Sequence, residues 1–223
     1  MTVDRRERYR AQTRDEAKRV ALRQLAEGGT GALSLNAIAR EIGLSGPALY
    51  RYFANRDALL TAMITDAFND LGDVMERAAA VDLPPEGRLR AVLAGSRAWA
   101  IAEPHRYQLL FGTPVPGYTA PPATTLAAHR IFTVPFEASV AIAAERDAAD
   151  PARRPPPLTP LDRQLAAWLE DPTAPPHLIR AGVLVWSRLH GLLSLEINGS
   201  YGPMCFDPAL LYEAEVDTII ASL

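Results

Sequence analysis

At 223 residues, 48% of them hydrophobic, the chain is long enough for a small domain joined to a larger one and for a sizeable core. Its apolar runs fall short of the ~20 residues of a membrane helix, the charged opening "MTVDRRERYR" shows no signal peptide, and the single Cys205 excludes an internal disulfide, so a cytoplasmic protein without a membrane partner is expected. The net charge of −3 is unevenly spread: residues 1–56 hold 11 Lys/Arg against 6 Asp/Glu, the remainder 12 against 20, which points to one end that meets a polyanion.

Helical periodicity runs through the whole chain. Residues 1–12 read as a flexible basic arm, with Arg5, Arg6, Arg8 and Arg10. Ala17, Val20, Ala21, Leu22, Leu25 and Ala26 form the apolar face of a first helix, introduced by Thr13 with Glu16 as a capping box and stopped at Gly28-Gly29. "GGTGALS", 28–34, superficially resembles a phosphate-binding loop, but it follows a helix and lacks the last glycine, so it reads as a helix-to-helix turn. Ser34 caps a short second helix with Leu35, Ile38, Ala39 and Ile42 inward, and Gly43 ends it. Ser45 caps a third, with Pro47 in its first turn, where a missing N–H costs nothing. Asn55 caps a long fourth helix to about Ala80. Further helices are expected near 85–103, 104–112, 121–148, 158–171, 176–199 and 208–222, the one over 121–148 interrupted by Pro135, where it loses an N–H. Thirteen of the 19 prolines lie between Pro114 and Pro176, in stiff links. Asn198-Gly199-Ser200 reads as a helix-ending turn. No strand pairs or repeats are visible. The expected fold class is all-α.

Leu35 to Phe53 has the logic of a helix-turn-helix. Ala39 is small where two helices must approach, Gly43 stands at the turn, and Ile38, Ile42, Leu44 and Leu49 supply a miniature core. The third helix then offers its front to a major groove. Leu49 and Phe53 face inward, while Tyr50, Arg51 and Tyr52 reach phosphates and base edges.

"SLNAIAREIGLSGPALYRYFANRDALL" resembles the DNA-binding signature of the TetR (tetracycline-repressor) family of bacterial transcription regulators. Ser34, Ile38-Ala39, Gly43-Leu44-Ser45, Leu49-Tyr50, Phe53 and Arg56 match its pattern. The resemblance implies an N-terminal DNA-binding domain, 1–56, and a helical regulatory and dimerisation domain, 57–223. It implies DNA contacts at Ser34, Ser45, Pro47, Ala48, Tyr50, Arg51, Tyr52 and Arg56. Gly46 departs from the pattern, standing where many relatives carry a basic residue, so more of the base reading falls to Pro47, Ala48 and Arg51. Trp186, His190 and Gly191 resemble the Trp-His-Gly motif that names one subgroup of regulatory domains, which implies a dimeric domain receiving a small molecule of unspecified identity.

Trp186 and His190 share a helix face. With Trp99, Tyr107, Phe111, Phe132 and Phe136 they are candidates for an apolar ligand cavity, although aromatics at such spacing also build plain cores. Catalysis has no visible basis: the four histidines show no metal-ligand spacing, no Gly-x-Ser-x-Gly elbow surrounds a serine, and no cofactor motif is present. The expected function is a homodimeric regulator on a palindromic operator in double-stranded DNA, a repressor released by a small-molecule effector. A ligand-independent or activating regulator and a scaffold that has lost DNA binding are the alternatives. Helices near 176–199 and 208–222 are apolar over more than one face, so one face of each is expected at the dimer interface, with Leu211 and Ile219 among its residues.

Overall fold

A computed structural model describes residues 5–150, 158–169 and 175–223. Its α-helices are α1 (Arg5–Gly28), α2 (Leu35–Glu41), α3 (Gly46–Tyr50), α4 (Arg56–Ala79), α5 (Pro85–Ala102), α6 (Pro104–Phe111), α7 (Pro122–Ala149), α8 (Pro160–Leu169), α9 (Pro176–Ile197) and α10 (Pro208–Ser222). No strand occurs among the described residues. The chain divides into two compact units, residues 1–69 with 103–128, and residues 70–102 with 129–223. This partition differs from a division at 56/57: the cut falls within α4, and the segment 103–128 returns to the N-terminal unit.

In the first unit the core is built by Ala17, Val20 and Ala21 of α1, Leu35, Ile38 and Ala39 of α2, Leu49 and Phe53, and Leu59, Leu60 and Met63 of α4. Leu109, Val115 and Tyr118 pack against the same core. The first helix does not begin at Thr13 as a capping box would require. It begins at Arg5, so the arm expected over residues 1–12 is helical from that point, residues 1–4 lying outside the described residues. Thr13 is buried and its hydroxyl donates to the Tyr9 carbonyl, four residues back, at 2.9 Å. A hydroxyl bonded in that way serves the interior of a helix rather than its cap. Ser34, Ser45 and Asn55 do act as caps, accepting from the N–H groups of Ala37 (3.3 Å), Ala48 (3.3 Å) and Ala58 (2.8 Å). Gly43 ends α2 at φ +71°, a conformation open to glycine at no steric cost.

The second unit packs α5, α9 and α10 together, with α8 against α9. Leu89, Val92, Leu93, Leu189, Leu193, Val216, Ile219 and Ile220 of these helices are buried, and the Tyr212 hydroxyl donates to the Leu93 carbonyl at 3.0 Å. The Arg97 guanidinium pairs with Glu196 and lies over the Tyr212 ring. Thr159 and Asp162 form a capping box at α8: the Asp162 carboxylate accepts from the Thr159 N–H and hydroxyl, each at 2.7 Å, and from Arg180 Nε at 2.8 Å. The Thr159 bonds first, then the Arg180 charge, hold the Asp162 carboxyl below the usual carboxylate range. Pro135 sits inside α7 without ending it. At the end of α9, Gly199 takes φ +71° and the Ser200 N–H returns to the Leu195 carbonyl at 2.9 Å, the expected helix-ending turn.

By length and composition α9 is apolar enough to cross a membrane. However, its Arg180, Arg188 and Glu196 pair with Asp162, Glu215 and Arg97, the bonding of a helix inside a protein bundle. The expectation that Ile219 lies at a subunit interface is corrected: it is 1% exposed and belongs to the core of the second unit. The large apolar residues that α9 and α10 leave outward are Leu184, Trp186, Leu195, Leu210 and Leu211.

Candidate nucleic-acid interface

The front of α3 is held by three short connections. Leu44 N–H bonds to the Ala39 carbonyl at 2.8 Å across the turn, Ser45 caps α3, and Leu49 and Phe53 plug its inner side into the core. Burying residues 49 and 53 turns the intervening positions outward. Tyr50 is 47% exposed, and Arg51 is exposed with its guanidinium in no ion pair or hydrogen bond among the described residues. Pro47 is exposed and Ala48 half-buried beside them. Tyr52 differs from its two neighbours: its side chain is half-buried against the core, because α3 ends at Tyr50 and the chain turns there toward α4. Arg56, in the first turn of α4, lies 4.0 Å from Asp57 and is partly exposed. The Ser34 and Ser45 hydroxyls accept cap bonds through oxygen, which leaves each O–H proton to donate outward.

Four supports of this edge carry no sequence signature. The Arg14 guanidinium donates to the Tyr52 carbonyl at 2.7 Å and lies 4.5 Å over the Phe53 ring, tying the end of the third helix to α1. Gln24 accepts from the Ser34 N–H at 3.1 Å, and Arg23 pairs with Glu41. Lys18 bridges Asp15 and Asp66, which raises its pKa against the opposing effect of burial. Each depends on chain segments that meet only after folding.

Comparison with known proteins gives this geometry its setting. Residues 19–63 match the family described as "Bacterial regulatory proteins, tetR family", and residues 89–219 match "Tetracyclin repressor-like, C-terminal domain". The HTH-type transcriptional regulator Rv1816 of Mycobacterium tuberculosis is 37% identical over 218 residues, covering 93% of this chain and 92% of the relative. The chain belongs to the TetR family. Among solved structures, the regulatory protein SCO4313 shares 41% identity with a TM-score of 0.83, over 99% of this chain and 100% of that one. FadR from Bacillus subtilis, solved with stearoyl-CoA, shares the fold at 11% identity and a TM-score of 0.58, over 93% and 98%. This TetR-family chain is a DNA-binding transcriptional regulator, and its relatives are regulators rather than enzymes.

The seven aromatic candidates for a ligand site fall into separate groups in the regulator. Tyr107 and Phe111 belong to the first unit, with ring centroids 5.1 Å apart and Phe68 edge-on to Phe111 at 6.1 Å. Trp99, Phe132, Phe136, Trp186 and His190 belong to the second. There the His190 ring stacks on Trp186 at 5.2 Å, Phe132 tilts against Trp186 at 5.9 Å, and Phe136 lies beside Gly182. The Trp99 indole N–H donates to Asp70 at 2.9 Å. Burial pushes the His190 pKa down. Among the described residues no group of three His, Cys, Asp or Glu side chains is placed to hold a metal.

Sequence reasoning missed the return of residues 103–128 to the DNA-binding unit. The Tyr118 hydroxyl lies 3.0 Å from the Thr61 hydroxyl of α4, and Arg106 donates to the Asp66 carbonyl at 3.3 Å. The proline-rich stretch 113–121 read as a link, and nothing in its local pattern distinguishes a link from a buttress.

Proposed function

We propose that the protein is a homodimeric, cytoplasmic repressor that binds a palindromic operator through α3 and is released by a small molecule. The observation that carries the reading is the third helix itself: capped at Ser45, anchored by Leu49 and Phe53, and presenting outward Tyr50 and Arg51, the latter without an ion pair among the described residues. Pro47, Ala48 and Arg51 are assigned to base edges; Ser34, Ser45, Tyr50, Tyr52 and Arg56 to the phosphate backbone. Tyr52 would serve through its hydroxyl, its ring being packed. The division of labour at residues 56/57, DNA contact before and regulation after, belongs to the same reading.

The outward Leu184, Leu195, Leu210 and Leu211 support a second copy packing on α9 and α10, since an apolar stripe on each helix left to water is costly. Such a two-fold pair meets successive major grooves about 34–36 Å apart. The effector is assigned to the aromatic group around Phe132, Phe136, Trp186 and His190, in keeping with the Trp-His-Gly resemblance. FadR from B. subtilis was solved with stearoyl-CoA, and what is carried over from it is small-molecule control, not that ligand. The effector acts by changing the tilt of α4 and thereby the spacing of the two recognition helices. A coupling of ~1–3 kcal/mol is typical of such control.

The test is footprinting of the full chain on the promoter region beside its own gene, with sedimentation of the free protein and of the complex. A two-fold protected site holding two chains is the expected result. A free protein that sediments as a monomer at micromolar concentration, or a site protected by one chain, would overturn the dimer mechanism.

A further inference from the structure

The first three residues of α3, Gly46, Pro47 and Ala48, have no side chain able to hydrogen-bond a base. Yet the front of a recognition helix is where base edges are read. Asn36, the second residue of α2, stands in that gap. A Cβ built on Gly46 would lie 2.7 Å from Asn36 Oδ1 and 3.7 Å from its Cγ, so the Asn36 carboxamide occupies the space that a side chain at 46 would need. Asn36 is exposed, and its carboxamide makes no hydrogen bond among the described residues. An unengaged planar amide at a helix junction carries a donor and an acceptor side by side. That pair matches adenine N7 and N6 in the major groove, the bidentate contact that asparagine makes.

We propose that Asn36 is a specificity-determining residue that reads an adenine in each operator half-site, Gly46 being the opening through which the α2 amide reaches the front of α3. The inference rests on the reading of α3 as the recognition helix, and it moves part of base recognition onto the preceding helix. Arg51, further along α3, reads a different position.

The experiment selects duplexes from a pool randomised over roughly two helical turns, about 20 base pairs, using the full-length wild type and Asn36→Ala. Alanine is the better helix former, so the variant keeps α2. Wild type should enrich one adenine per half-site that Asn36→Ala no longer prefers. Binding of the selected duplex should weaken ~5–150-fold in the variant, the range of one bidentate base contact, with binding to a scrambled duplex unchanged. Replacing that adenine by 7-deazaadenine, which lacks the N7 acceptor, should weaken wild type and leave Asn36→Ala unaffected. Identical base preferences for the two proteins, equal weakening on every duplex, or equal sensitivity to 7-deazaadenine overturns the proposal while α3 recognition stands. If wild type enriches no sequence at all, the recognition-helix reading falls, and this inference with it.

Discussion

Removing the Arg14 side chain tests how the recognition helix is held, because Arg14 is itself no DNA-contact candidate and meets Tyr52 only at its backbone carbonyl. In Arg14→Ala the Tyr52 carbonyl loses a charge-assisted bond of 2.7 Å, and the Phe53 ring loses a cation at 4.5 Å. A hydrogen bond to a charged group contributes ~1.5–3 kcal/mol, and a cation over an aromatic ring at an accessible site ~0.5–1 kcal/mol. Arg14 is half-buried, so water partly replaces the lost donor and the lower ends apply, about 2 kcal/mol in all. The loss falls on the segment joining α3 to α4, whose carbonyls lie at a helix end and lack intrahelical partners. Local opening there should rise roughly thirty-fold, a factor of ten per 1.4 kcal/mol. Hydrogen exchange of peptides spanning residues 45–56 reads this directly, with Arg51→Ala as the control that leaves exchange unchanged. Arg14→Lys keeps the charge but cannot both bond the carbonyl and lie flat on the ring, so it should fall between. Exchange in Arg14→Ala equal to wild type would show that the core alone positions the helix.

Arg51→Ala should weaken operator binding by ~1–3 kcal/mol and relax preference at one position, whereas Tyr50→Phe should weaken all duplexes alike, both measured by fluorescence anisotropy. Leu210→Glu with Leu211→Glu should give folded monomers by sedimentation and circular dichroism, while Ile219→Glu should unfold the second unit, since it buries an unpaired charge in the core. Tyr118→Phe removes the hydroxyl 3.0 Å from Thr61 and should cost about 1 kcal/mol of stability in urea unfolding. His190 has a folded-state pKa below its unfolded value of 6.5. Its contribution to stability is therefore complete above that pH and falls away as pH drops toward the lowered folded value, because the unfolded chain takes up the proton first. His190→Gln should flatten this part of the stability profile, and an unchanged slope below pH 6.5 would assign it to other groups.

What the sequence determined by itself was whatever depends on near neighbours. The caps at Ser34, Ser45 and Asn55, the stop at Gly43 and the inward pair Leu49 and Phe53 are local periodicities and local hydrogen bonds, so the third helix and its outward Tyr50 and Arg51 were legible before any fold was known. The same locality explains the error at Thr13, where a capping pattern fits the sequence but the residues before it are equally able to form helix, and a buried environment drew the hydroxyl back to Tyr9. Tertiary structure alone decided which of several apolar faces is buried: Ile219 and Leu211 read alike on α10, yet one fills the core and the other meets solvent. It also decided that Arg14 reaches Tyr52, that Asn36 fills the place beside Gly46, and that residues 103–128 pack with the DNA-binding core. The first and last of these join segments far apart in the chain, and the second joins two helices across a turn. Their formation is set by the sum of burial over the whole unit, which no window of neighbouring residues contains.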